Sequence, residues 1–189
     1  MALENQRYGR NKDTIVNKTY IESGEYRKKF DNATDNADVN KALYDSAKQA
    51  LKHRSGTELE DMYWIDGETG KVILSVTDST EKRQIVYTDK IKKTIKNNEN
   101  IVTLHTHPSS MPPSVADFNS CYDNGYKMGI VACHNGKVFA YTSHQKISEE
   151  LYNMYVGQFL TEGKSEFDSQ LLALKELRRS YDINFKEVT

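Results

Sequence analysis

Ile101-Val102-Thr103-Leu104-His105-Thr106-His107-Pro108, followed after a short loop by Ser114-Val115-Ala116-Asp117, is the stretch on which the reading of this chain turns. Ile101, Val102 and Leu104 read as a buried strand that runs straight into two histidines. Side chains alternate along a strand, so His105 and His107 point to one face and Thr106 points into packing on the other. Pro108 removes a backbone donor and disfavours helix at His107, so the strand stops there. Pro113 does the same to Pro112, so the next helix begins at about Ser114. Asp117 then lies in the first helical turn, where the helix dipole favours a carboxylate. A strand end with two imidazoles and a helix start with one carboxylate, joined by a stiff loop, can converge on one point.

Imidazole nitrogens and a carboxylate oxygen form the ligand set of hydrolytic zinc sites. Three protein ligands leave the fourth tetrahedral position open for water. The same residues also have a purely structural reading. Ser114-x-x-Asp117 is a capping box, and the histidines are polar groups at a strand end. A zinc hydrolase further needs a general base. Glu60, just before the expected strand Met62 to Ile65, is the candidate. Glu58 shares its face if the strand extends back, and Glu68 competes from the following turn.

Working outward, residues 1–36 form a polar arm in which Tyr20, Ile21, Tyr26 and Phe30 can dock on the domain. The arm has too few apolar residues for a core of its own. Val39, Leu43, Ala47 and Leu51 give a helix from Ala37, ended by Ser55-Gly56. Met62 to Ile65 and Lys71 to Val76 pair around the turn Asp66 to Gly70. Arg83 to Tyr87 reads as a short strand, and Thr88 caps a helix carrying Ile91 and Ile95. Lys127 to Cys133 and Lys137 to Thr142 form a hairpin, and Asn135-Gly136 favours a type I′ turn. Ser148 and Ser165 cap two helices, and the segment 148–189 is expected to be helical. This order predicts an α/β (α+β) sandwich with a mixed central sheet, its main domain spanning 37–147.

The 189 residues carry a net charge of −1, with 26 basic and 27 acidic side chains. That balance, without basic-aromatic interleaving, argues against nucleic acid. The basic run Ile91 to Lys96 reads as the solvated face of its helix. Mean hydropathy is −0.75, and no apolar run approaches ~20 residues, so no membrane span is expected. Met1 to Arg7 lacks the apolar core of a secretion signal, so the expected compartment is cytoplasmic. Cys121 and Cys133 are too few for a disulfide framework and read as reduced, semi-buried thiols. His53, His134 and His144 read as surface or helix-end residues.

The His-x-His-Pro, loop, Ser-x-x-Asp pattern resembles the JAMM motif of MPN-type metalloproteases, the JAB/Mov34 superfamily. The resemblance covers about Glu58 to Thr142. It implies a cytidine-deaminase-like α-β-α sandwich and a Zn2+-dependent peptidase or isopeptidase. By it His105, His107 and Asp117 match the metal ligands, and Ser114 the serine that helps stabilise the developing oxyanion. Glu60 matches the catalytic glutamate, since Glu60 to Gly67 resembles the family's Glu followed by an apolar strand. The loop between His107 and Ser114 is one residue shorter than the common pattern. Lys52 to Thr57 and Met111 to Phe118 also resemble JAB-domain segments of phage and mobile-element proteins. The implied partner is a peptide, protein or ubiquitin-like substrate. The alternative is a metal-stabilised binding or assembly module without catalysis.

Overall fold

Strand alternation sorts the apolar residues into two cores, one on each face of a single sheet. The computed structural model describes residues 9–189, and the reading of Met1 to Arg7 lies outside them. Six strands pair: β1 (Met62–Asp66), β2 (Val72–Val76), β3 (Ile101–His107), β4 (Met128–Cys133), β5 (Val138–Ser143) and β6 (Ile183–Glu187). Their order across the sheet is β2-β1-β3-β4-β5-β6. The central pair β3 and β4 is parallel and the other pairs are antiparallel. The fold is thus a mixed α/β sandwich.

One face is covered by α3 (Ala37–Arg54), preceded by α1 (Lys18–Ile21) and α2 (Gly24–Lys28). Val39, Leu43, Ala47 and Leu51 of α3 meet Tyr63, Ile65, Val102 and Leu104 of the sheet. Tyr26 and Phe30 of the N-terminal arm complete that core, with ring centroids 5.4 Å apart in an edge contact. The opposite face is covered by α4 (Asp89–Lys96), α5 (Val115–Asp123) and α7 (Glu166–Leu177). It buries Trp64, Phe118, Phe139, Tyr141 and Leu174. A further helix, α6 (Glu149–Thr161), packs on α7. No helix of the described residues is long and apolar enough to cross a membrane.

Five expectations need correction. Arg83 to Tyr87 is not a strand. Both edges of β1 are taken by β2 and β3, so the segment instead packs against the second core through Ile85 and Tyr87, and Tyr87 meets Trp64 edge-on. The C-terminal portion is not helical throughout, because β6 pairs with β5. Its Ile183 and Phe185 alternate into the second core with polar residues between them. The hairpin of β4 and β5 exists, but its turn is not type I′. Gly136 has a positive φ of 87° and Asn135 does not, and the Gly136 N–H bonds the Cys133 carbonyl at 2.9 Å. This is a three-residue loop with glycine at the left-handed position. Finally, Cys121 and Cys133 are fully buried, and His134 is only 2% exposed, with Nδ1 donating to the Thr14 carbonyl at 2.7 Å.

Phe30 is 1% exposed although it belongs to the polar arm. Phe30→Ala is expected to destabilise the protein by about 3–5 kcal/mol, the usual cost of emptying a buried aromatic site. Urea unfolding checks this, and a loss under ~1 kcal/mol would mean the arm is not part of the core.

Candidate metal centre

The odd-numbered residues of β3 face the second core, so His105 and His107 lie on the side of the sheet covered by α5. Thr106, on the other side, ties β3 to the start of β1. Its Oγ1 accepts the Asp61 N–H at 3.1 Å, and its own N–H donates to the Asp61 carbonyl at 3.1 Å. Asp61 is in turn gripped by α3. Arg54 Nε donates to its Oδ1 at 2.5 Å, and His53 Nδ1 lies 2.6 Å from its Oδ2. Glu60 is therefore held one residue from a buried ion pair and directly beside the histidine strand.

The loop after His107 turns through Ser110, at φ 58°, and delivers Ser114 as the N-cap of α5. The structural reading of Ser114-x-x-Asp117 holds, and the same Asp117 also faces the histidines. The Ser114 N–H and hydroxyl donate to Asp117 Oδ2 at 2.7 and 2.8 Å, completing the capping box. Asp117 Oδ1 is left facing His105 Nε2 at 3.1 Å, and Oδ2 lies 3.4 Å from His107 Nε2. The two Nε2 atoms are 3.0 Å apart. One ligand atom from each of the three residues lies within 4.8 Å of the others, and this group could hold a metal ion.

The tautomer of His107 fits as well. His107 Nδ1 lies 3.0 Å from the Met111 carbonyl, which can only accept, so Nδ1 carries the proton and Nε2 is free to ligate. His105 Nδ1 is buried without a hydrogen-bond partner. Its ring is placed by burial and by a T-shaped contact with His107, centroids 4.8 Å apart.

The group opens on a cleft of about 910 Å3 that Glu60 and Ser114 also line. Glu60 is buried and stands apart from the three converging ligand atoms. Burial raises its pKa, an effect reinforced by Asp117 and opposed by His107 and His105. Glu58 and Glu68 are placed elsewhere. Glu58 is paired with Lys82 and Arg83, and the Glu68 carboxylate accepts from Asn100 in the turn. The far wall is a polar network that sequence reading did not find. Trp64 Nε1 donates to the Tyr126 hydroxyl at 2.9 Å, and the Tyr87 hydroxyl lies 3.2 Å from Ser120 Oγ. Arg54, Asp61 and the Met111 carbonyl were missed too. Only Asp61 left a signal, as a second acid beside Glu60 ahead of a buried strand.

Without a metal the charges must balance among themselves. Burial pushes the His107 ring toward neutrality, but the Asp117 carboxylate, with help from Glu60 and the Met111 carbonyl, outweighs it and lifts the pKa to about 9. Burial would raise Asp117, but His105 and His107 hold it well below the ordinary carboxylate range. A raised folded-state value means that His107 stabilises the metal-free protein in full below pH 6.5, and that this is lost as pH rises through about 9. Asp117 does not change charge in that window. Thermal melts of chelator-treated protein from pH 6 to 10 should show this decline, and His107→Gln should flatten it. Compared with family models, curated proteins and solved structures, the chain matches none.

Proposed function

We propose that this chain is a zinc-dependent hydrolase of peptide or isopeptide bonds, of the JAMM type that its motif resembles. The observation that carries the reading is the grouping of His105, His107 and Asp117, whose ligand atoms lie within 4.8 Å of one another, beside buried Glu60 in an open cleft. His105, His107 and Asp117 would hold the ion through two neutral nitrogens and one carboxylate. Zinc in such a site supplies a bound water with a pKa near ~7 and polarises the carbonyl of the bond to be cut.

The chain's own residues do the rest. Burial raises the pKa of Glu60 and so makes its carboxylate a stronger base, which would take up a proton at a carboxylate oxygen and pass it to the departing amine. Asp117 is oriented by the Ser114 N–H and hydroxyl, so Ser114 positions a ligand, and the motif's resemblance would give it a part in stabilising the developing oxyanion as well. Met111 fixes the His107 tautomer through its carbonyl. The cleft lies between the 83–87 stretch and α7, since Arg83, Tyr87, Glu166 and Gln170 all line it, and is the proposed seat of the peptide substrate.

The test is hydrolysis of a panel of fluorogenic peptides and isopeptide-linked ubiquitin-like conjugates by the zinc-loaded chain. Activity is expected to disappear with chelation and return with Zn2+. Glu60→Gln should lower kcat about 10²- to 10⁴-fold while zinc content stays unchanged. Full activity in Glu60→Gln would remove Glu60 from the mechanism. A chelated protein that also loses its fold would favour the structural-metal alternative.

A further inference from the structure

Trp64, Tyr126, Tyr87, Ser120 and Asn124 form one hydrogen-bonded network that runs from the second core to the wall of the cleft. Trp64 Nε1 donates to the Tyr126 hydroxyl at 2.9 Å, and that hydroxyl lies 3.3 Å from the Tyr87 hydroxyl. The Tyr87 hydroxyl lies 3.2 Å from Ser120 Oγ, to which Asn124 Nδ2 donates at 3.3 Å. Asn124 Nδ2 is fixed as a donor because it also meets the Ser120 carbonyl at 2.9 Å. The proposed chemistry uses none of these groups.

The protons of this network do not balance. The indole N–H and the amide nitrogen can only donate, so both ends feed protons inward. Three hydroxyls bring three more protons, and only two hydroxyl–hydroxyl contacts take them up. Tyr126 is 5% exposed, and among the described residues only the Tyr87 oxygen can accept from its hydroxyl. The surplus proton therefore belongs to the Tyr87–Ser120 pair. Its internal alternative is the Met62 thioether, 3.7 Å from the Tyr87 hydroxyl and a weak acceptor. Tyr87 and Ser120 both line the cleft.

We infer that the Tyr87–Ser120 pair is a subsite that donates a hydrogen bond to an acceptor oxygen of the ligand, a carbonyl or carboxylate oxygen of a peptide. Ser120 and Asp117 lie three residues apart in α5, so they share a face and stand ~4.5 Å apart along its axis. Asp117 faces the histidines, which puts the donor one to two extended residues, at ~3.3 Å each, from the metal group. That spacing gives the oxygen to a residue next to the bond that is cut, an assignment that rests on the proposed hydrolysis. The donor itself does not rest on it. Hydrogen bonds in series polarise one another, so engaging the surplus proton is felt back at Trp64. Trp64 is the single tryptophan, is 1% exposed and does not line the cleft, so its indole N–H reports the subsite without touching the ligand.

The test is the Trp64 indole N–H resonance of the isotopically labelled full chain, stripped of metal by chelation so that no turnover is needed. The probes are N-acetyl-dialanine as the free acid and as its N-methylamide, each raised into the millimolar range. The resonance is expected to shift and saturate with at least one of them. Tighter binding of the acid identifies a carboxylate as the preferred oxygen, and an acid no tighter than the amide identifies a peptide carbonyl. Ser120→Ala should weaken the binding about 2- to 12-fold, the worth of one hydrogen bond, and Ser120→Thr, which keeps the hydroxyl, should restore it. No shift with either probe, or binding unchanged in Ser120→Ala, would overturn the inference. Hydrolysis by the zinc-loaded chain with a KM unmoved by Ser120→Ala would overturn it too, while leaving the proposed function standing. Probe binding that depends on Ser120, in a chain that loads zinc and hydrolyses nothing, would uphold the subsite and sink the proposed function.

Discussion

The site depends on how Asp61 is held. Its backbone exchanges two hydrogen bonds with Thr106, and its carboxylate takes Arg54 and His53 from α3. Thr106 stands between the two histidines and Asp61 next to Glu60, so one buried residue sets the distance between the proposed base and the metal group. As a source of stability the arrangement is poor. Arg54 and Asp61 are both fully buried, desolvation is expensive, and Arg54 Nη1 has no partner among the described residues. What it does supply is register. A slip of one residue between β1 and β3 would turn His105 and His107 away from α5, and only the native pairing leaves Asp61 opposite Thr106.

Around that point the fold works as a vice. β3 and β4 run parallel at the centre of the sheet, and α5 begins at the carboxyl end of β3. The capping box that starts α5 uses the same Asp117 that faces the histidines, so one side chain meets the backbone needs of a helix terminus and completes the group that could hold a metal. Ser114 contributes to both through its bonds to Oδ2. Replacing either residue would therefore disturb the helix start and the ligand set together.

Much of this was legible in the sequence because it is local. The two-residue period of β3, the stop at Pro108, the restart at Ser114 and the cap on α5 are properties of adjacent residues, and they suffice to bring His105, His107 and Asp117 together. What could not be read is what depends on distant neighbours. Arg83 to Tyr87 has strand-like composition, but no free edge of β1 remains to receive it. β6 follows two helices and is too short and polar to stand out, since only Ile183 and Phe185 face inward. His134 looks like a hairpin residue in sequence, but the N-terminal segment folds over it and Thr14 accepts its proton. The type I′ turn expected from Asn135-Gly136 yields to a longer loop because Cys133 pairs with Lys137.

The central claim is that His105, His107 and Asp117 bind one catalytic zinc. The most direct measurement is the zinc content per chain by elemental analysis after purification without added metal, with His107→Ala prepared in parallel. The account predicts close to one zinc per chain in the wild type and almost none in the variant. A wild-type chain that holds no zinc even after reconstitution, or a variant that holds as much as the wild type, would contradict it.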